Sequence, residues 1–387
     1  MVKTIYLDNG ASTIIDSKVI EKMLPYLKDH YGNASSSHHV GEKAKMALEE
    51  SRKIIANSIN AKPEEIIFTS GGTESNNFAI KSIAFTNKNK GNHIITTKIE
   101  HDCVLESCQW LEKQGFNISY LDVDSEGFVS PKTLENAITD KTILVSIIHG
   151  NNEIGTIQDL KTLAEICKKN KVYFHTDACQ SFTKTKLNVV KQNLDLVTIN
   201  SHKIYGPKGV GCLFIRKGTN IEPWQHGGGH EFGLRAGTEN ISAIVGFAEA
   251  VKLGMNNKHK KNIQILRDKI ISELLEIPNT KLNGPLGEKR LCFNINIMFK
   301  GVDAPTLGGV LDNKGVCTSL ASACGAHSSE LSHVLKAIGL NDEEANSCLR
   351  LTISRFTTEQ GIDEAIAIIK SAVQKLRKGS FIDKLFK

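Results

Sequence analysis

Residues 199–215, INSHKIYGPKGVGCLFI, place a lysine between two apolar runs. Val197, Thr198 and Ile199 read as the end of a buried strand, and residues 210–215 as the next one. Asn200, Ser201, His202 and Lys203 stand between them, followed by a Gly-Pro turn. An ammonium group held at the end of a core strand, beside an imidazole, calls for a functional reason.

Outward from this stretch the chain alternates. Residues 17–30, 41–59 and 73–85 carry helical apolar spacing. Short β-rich runs lie at 65–70, 93–97, 117–123, 142–148, 172–177 and 194–200. Such alternation predicts an α/β fold, with a mostly parallel sheet covered by helices on both faces. Ligands of such sheets bind at the carboxyl ends of the strands. Residues 241–277 read as one or two long helices leaving the sheet, with Lys258, Lys260 and Lys261 on a solvated face. Beyond residue 280, runs at 290–299 and 348–356 read as strands and 330–338 and 359–377 as helices. The expected division is a large domain over residues 12–255 and a smaller α+β domain over 256–387, joined by residues 1–11.

Composition narrows the function classes. Apolar residues make up 40% and charged residues 23% of 387 positions, as in an ordinary globular protein. The net charge of +6 is too mild to call for nucleic acid. Nine cysteines without a paired spacing point to free thiols in a reducing compartment. The start, MVKTIYLDNGAST, has no apolar signal core, and no run approaches membrane-spanning length. A cytoplasmic protein with no membrane or nucleic-acid partner is expected.

The strand ends hold the chemistry. FTSGGTESNN, residues 68–77, opens a helix at a Gly-Gly-Thr turn, where free N–H groups and the helix dipole suit a phosphate. It lacks the lysine of a nucleotide P-loop and the dinucleotide glycine spacing. His101 follows a strand in TTKIEHDCV; Cys103 and Cys108 beside it lack a zinc-ligand spacing, so no metal is expected. Asn151, Asn152 and Glu153 follow the run at 142–148. Asp177 ends the run at 172–177, with Gln180 one turn later. Taken singly, Asp177 is a helix cap. A desolvated aspartate is also what a protonated pyridine nitrogen requires. A phosphate cradle, an aspartate and a strand-end lysine together are the protein's share of a pyridoxal 5′-phosphate site, with Lys203 as the imine-forming lysine.

The chain also resembles a known family, the NifS/IscS-like cysteine desulfurases of the class-V aminotransferase group of fold-type I pyridoxal-phosphate enzymes. The resemblance rests on YLDNGAST (6–13), YGNASSSHHVG (31–41), FTSGGTESNN, EHDCV (100–104), NNEIG (151–155), HTDACQS (175–181), SHKIYGPKG (201–209), HGGGHEFGLRAGT (226–238), SAC (322–324) and SRFTTEQ (354–360), in that order. It implies a seven-stranded, mostly parallel sheet in the large domain and conversion of L-cysteine to L-alanine. The sulfur passes to Cys324 as a persulfide, for iron–sulfur cluster assembly or tRNA thiolation.

The resemblance implies roles position by position. Gly72, Thr73, Asn200, Ser201 and His202 hold the phosphate. Asn152 and Gln180 contact the ring hydroxyl side, Asp177 the ring nitrogen, and His101 the ring face. Thr238 reaches the neighbouring subunit's phosphate, which implies a homodimer. Arg350 grips the substrate carboxylate, with Arg355 as the alternative and Asn33 assisting. Cys317, seven residues before Cys324, does not match the SAC signature. Small residues around Cys324 predict a mobile segment over about 322–330 that carries sulfur to an acceptor protein. A related lyase, such as a selenocysteine lyase, is the other enzyme class this pattern allows.

Overall fold

The computed structural model describes residues 4–320 and 331–385. Its strands are β1 (Ile5–Tyr6), β2 (Ile66–Thr69), β3 (His93–Thr97), β4 (Asn117–Leu121), β5 (Thr142–Ser146), β6 (Tyr173–Asp177), β7 (Leu196–Asn200), β8 (Gly211–Ile215), β9 (Thr280–Leu282), β10 (Asn294–Phe299), β11 (Val316–Cys317), β12 (Ser319–Leu320) and β13 (Cys348–Thr352). Seven of them form the central sheet, in the order β2-β8-β7-β6-β5-β3-β4. The fold is the expected α/β one, with a mostly parallel seven-stranded sheet.

Neighbouring residues along a strand face opposite sides of a sheet. Phe68, Val145, Val197 and Phe214 point into one core, against the helices His39–Ser58, Leu160–Lys169 and Ile241–Met255. Ile67, Leu144, Leu196 and Leu213, one position before each, point into the other, against residues of the helical stretches at 72–86 and Asp102–Glu112. Both faces are covered, which is why these strands are apolar throughout rather than alternating. The helices start where sequence supplies caps: Asp16 for Ser17–Lys28, Asp159 for Leu160–Lys169 and Asn240 for Ile241–Met255.

β8 breaks the parallel pattern, running antiparallel to both β2 and β7. Its first residue, Gly211, therefore pairs with the last residues of both neighbours, Thr69 and Asn200. A Cβ at Gly211 would lie 2.8 Å from the Ile199 carbonyl oxygen and 2.9 Å from the Gly71 Cα. Glycine is what lets these two strand exits come together.

A second sheet, β12-β13-β10-β9, is antiparallel and packs with the helices Lys260–Leu275, Ala304–Asp312 and Glu359–Leu385 around its own core. β1 pairs in parallel with β11. Asn9 and Gly10 then tie to Thr352 on β13, by Asn9 Nδ2 to its carbonyl (2.8 Å) and Gly10 N to its Oγ1 (2.7 Å). Among the described residues no helix is long and apolar enough to cross a membrane.

Candidate active site

The carboxyl ends of β3, β5, β6 and β7 and the turn after β2 open on one cavity of about 390 Å³. Lys203, in the turn after β7, donates from Nζ to the carbonyl oxygens of Gly10 (2.6 Å) and Ala11 (2.7 Å). Asp177, the last residue of β6, is 5% exposed. Its oxygens accept from Asn76 Nδ2 (2.7 Å) and the Cys179 N–H (2.9 Å).

His101 caps the helix Asp102–Glu112, its Nδ1 accepting from the Cys103 N–H at 3.2 Å. That bond places the proton of the neutral ring on Nε2. Burial and the nearby Lys203, Lys208 and Lys184 push His202 down to about 4, so its ring is neutral at physiological pH. Gly72 begins a helix whose first N–H groups have no intrahelical acceptor. A Cβ on Gly72 would lie 2.7 Å from Cys179 Sγ, so only glycine lets this turn close on the strand ends. Ser70 N and Arg235 both bond Glu74, which fixes the turn of helix behind it.

Arg350, on β13, is 1% exposed and reaches the cavity from the second sheet. Nη1 donates to the Asn152 carbonyl (3.2 Å) and Nη2 to Asp8 (3.1 Å).

Among the described residues, ten buried side-chain nitrogen or oxygen atoms lack a hydrogen-bond partner. Six of them belong to residues lining this one cavity: Asn76 Oδ1, Glu100 Oε2, Asn152 Oδ1, Gln180 Oε1, Asn200 Oδ1 and Arg350 Nε. An orphaned buried polar atom costs about 1–3 kcal/mol, and native proteins hold few. Six around one cavity mark a site built to be completed by a polar ligand. The donor set fits pyridoxal phosphate: a lysine, a carboxylate for a ring nitrogen, amides for a hydroxyl, and a glycine turn for a phosphate.

A model of the class-V aminotransferase family matches residues 5–365. The chain belongs to that family. Enzymes of the class-V aminotransferase family depend on pyridoxal phosphate. The chain is similar to the cysteine desulfurase IscS of Methanosarcina thermophila, at 47% identity, over 98% of this chain and 94% of the relative. A solved structure named as a NifS-like protein superposes with a TM-score of 0.90 at 36% identity, covering 96% of this chain and 99% of the other. Another, described as SspA in complex with cysteine, gives 0.83 at 37% identity over 92% and 100%.

Of the candidate residues in this class-V chain, Gly72, Thr73, His101, Asn152, Asp177, Gln180, Asn200, His202, Lys203 and Arg350 all line the cavity. Ser201 does not: it is fully buried, and a Cβ at Gly206 would lie 2.0 Å from its Oγ, so the hydroxyl packs into its own turn. Arg355 lies in a separate, smaller cavity, ion-paired with Asp16 and 4.1 Å above the Tyr205 ring. Asn33 is exposed, with Oδ1 bound to the Ser35 N–H. Thr238 is exposed and lines no part of the cavity. Cys324 and the expected mobile segment at 322–330 lie outside the described residues.

Sequence reasoning missed Asn76, Glu100 and Asp8. Asn76 holds Asp177, and Asp8 holds Arg350. Glu100 lies against Asp177 and His101, and burial pushes its carboxyl up to about 8. Glu153 lines the same cavity, raised by burial to about 6 and bonded by the Ser332 hydroxyl.

Proposed function

We propose that this chain is a pyridoxal-phosphate-dependent cysteine desulfurase that converts L-cysteine to L-alanine and places the sulfur on Cys324. The carrying observation is the group of six orphaned polar atoms around a cavity that also holds Lys203 and Asp177. Near-full-length similarity to curated cysteine desulfurases supports the substrate.

In this reading residues 12–255 hold the cofactor, and the remainder, with residues 1–11, brings Arg350 and Cys324 to it. Lys203 anchors the cofactor covalently. Gly72, Thr73, Asn200 and His202 take the phosphate, Asn152 and Gln180 the ring hydroxyl side, Asp177 the ring nitrogen and His101 the ring face. When bound, the cofactor supplies an electron sink for charge developing at the substrate Cα.

The remaining work belongs to side chains. Arg350 binds the cysteine carboxylate through its planar fork, which fixes the Cα–H bond toward Lys203. The Lys203 amino group takes that proton. His101 moves a proton at Nε2 between ring and sulfur, because a thiol attacks only as thiolate. Cys324 Sγ bonds to the substrate sulfur, the substrate carbon–sulfur bond breaks, and the carbon left behind gains a proton to become alanine. The persulfide passes to an acceptor protein, an iron–sulfur scaffold or a tRNA-thiolation enzyme. Thr238 serves the phosphate of a second copy in a homodimer.

The test is direct. The chain reconstituted with pyridoxal phosphate is given L-cysteine and dithiothreitol, and alanine and sulfide are quantified. Equal amounts of both are expected. Alanine without sulfide, or no alanine at all, overturns the reading.

A further inference from the structure

A second cavity, of about 50 Å³, shares only Lys203 with the first. Its lining carries Lys184, Lys203, His259, Lys260 and Arg355 and no aspartate or glutamate. Arg355 is matched by Asp16, and Lys203 by two backbone carbonyls. Lys184 is matched by neither kind of group. Among the described residues its ammonium makes no hydrogen bond or ion pair, and it lies 4.0 Å from the centre of the Phe293 ring. Lys184 is half-buried, and a cation partly withdrawn from water without an anion is disfavoured, so it tends to lose its proton or acquire a partner.

We propose that this cavity binds one small monovalent inorganic anion, held between Lys184 and the cationic wall beside Lys203.

Size and charge both select that ligand. One water needs roughly 10–15 Å³ by this measure, so the cavity takes about three to five waters or a single anion of a few heavy atoms. An amino acid does not fit. Burial and the Lys203 charge push Lys184 down to about 7, so a neighbouring anion restores its proton. The anion also offsets the repulsion that Lys184 exerts on Lys203, the one group common to both cavities. None of this depends on which substrate the larger cavity takes.

The holoenzyme is crystallised and soaked in bromide, and anomalous scattering is measured. A peak within hydrogen-bonding reach of Lys184 Nζ is expected. In parallel, thermal unfolding of the holoenzyme is followed against bromide, nitrate and sulfate, with gluconate holding ionic strength constant. Bromide or nitrate should raise Tm saturably by roughly 2 °C or more. A response to bromide alone identifies a monatomic ligand, and one to nitrate alone an oxyanion. The anion-dependent rise should vanish in Lys184→Met. Absence of a bromide peak together with no bromide- or nitrate-dependent rise in Tm, or the same anion dependence in Lys184→Met as in wild type, overturns the proposal. If Lys184→Met fails to fold, Lys184→Gln crystals soaked in bromide decide, since the peak should weaken or disappear.

Discussion

Arg350 donates from Nη2 to Oδ1 of Asp8 at 3.1 Å, across 342 positions of chain. One edge of the guanidinium is thereby held, while Nε remains buried without a partner. Arg350→Lys keeps the charge and loses the planar fork. KM for L-cysteine should rise by 10-fold or more, on the order expected for a lost charge-assisted pair, with cofactor binding unchanged. Steady-state kinetics with an unaltered KM would remove Arg350 from the substrate.

Arg355→Gln should behave differently. This side chain is engaged by Asp16 and Tyr205 away from the larger cavity. Its loss leaves a largely buried Asp16 unpaired, so thermal stability should fall by roughly 1–3 kcal/mol while KM for cysteine stays within about twofold. A large KM change with unchanged Tm would return Arg355 to the substrate site.

Lys203 is expected to be the covalent anchor. Borohydride should fix the cofactor on Lys203 of the wild-type protein, located by peptide mass spectrometry. In Lys203→Ala no peptide should carry it. Labelling that persists in the variant would assign the anchor elsewhere.

Asp177→Asn keeps an acceptor for the Cys179 N–H, places an NH2 group where the second oxygen took the Asn76 bond, and removes the counter-charge. Cofactor binding should survive, and kcat should drop by about 100-fold or more, in line with other electrostatic stabilisers. Wild-type turnover in this variant contradicts the assigned role.

Glu100 links stability to pH. Burial raises its carboxyl to about 8, against an ordinary 4.5. The unfolded chain therefore releases this proton first, and between about pH 4.5 and 8 each unit favours unfolding by up to roughly 1.4 kcal/mol. The contribution is full below about 4.5 and is lost as pH climbs toward 8. Glu100→Gln keeps acceptors for Thr97 and the Ile148 N–H and removes the titration. Its Tm advantage over wild type should grow between pH 5 and 8; a flat difference would show that Glu100 is ionised throughout.

Strands buried on both faces, such as Thr142–Ser146 and Leu196–Asn200, were legible because their apolar runs are continuous. β1, β11 and β12 span two residues each, too short for any period to register. The antiparallel direction of β8 was hidden because an apolar run has no polarity. Lys203, Asp177 and His101 stood out as ionisable groups at strand ends. Asn76 and Glu100 did not, since in GTESNN and KIEHDC they are ordinary polar positions until other segments bury them. Arg355 shares its residue type with Arg350, and Ser201 stands between two cavity residues, Asn200 and His202; only packing separates them from the site.

The acceptors of Lys203 lie on Gly10 and Ala11, and that segment is held by Thr352. During synthesis the first ten residues leave the ribosome long before residue 352 exists. The lysine's setting is thus assembled last, by a segment that has waited through nearly the whole of translation. Chains arrested before β13 should expose residues 5–11 to protease, and release of the finished chain should protect them.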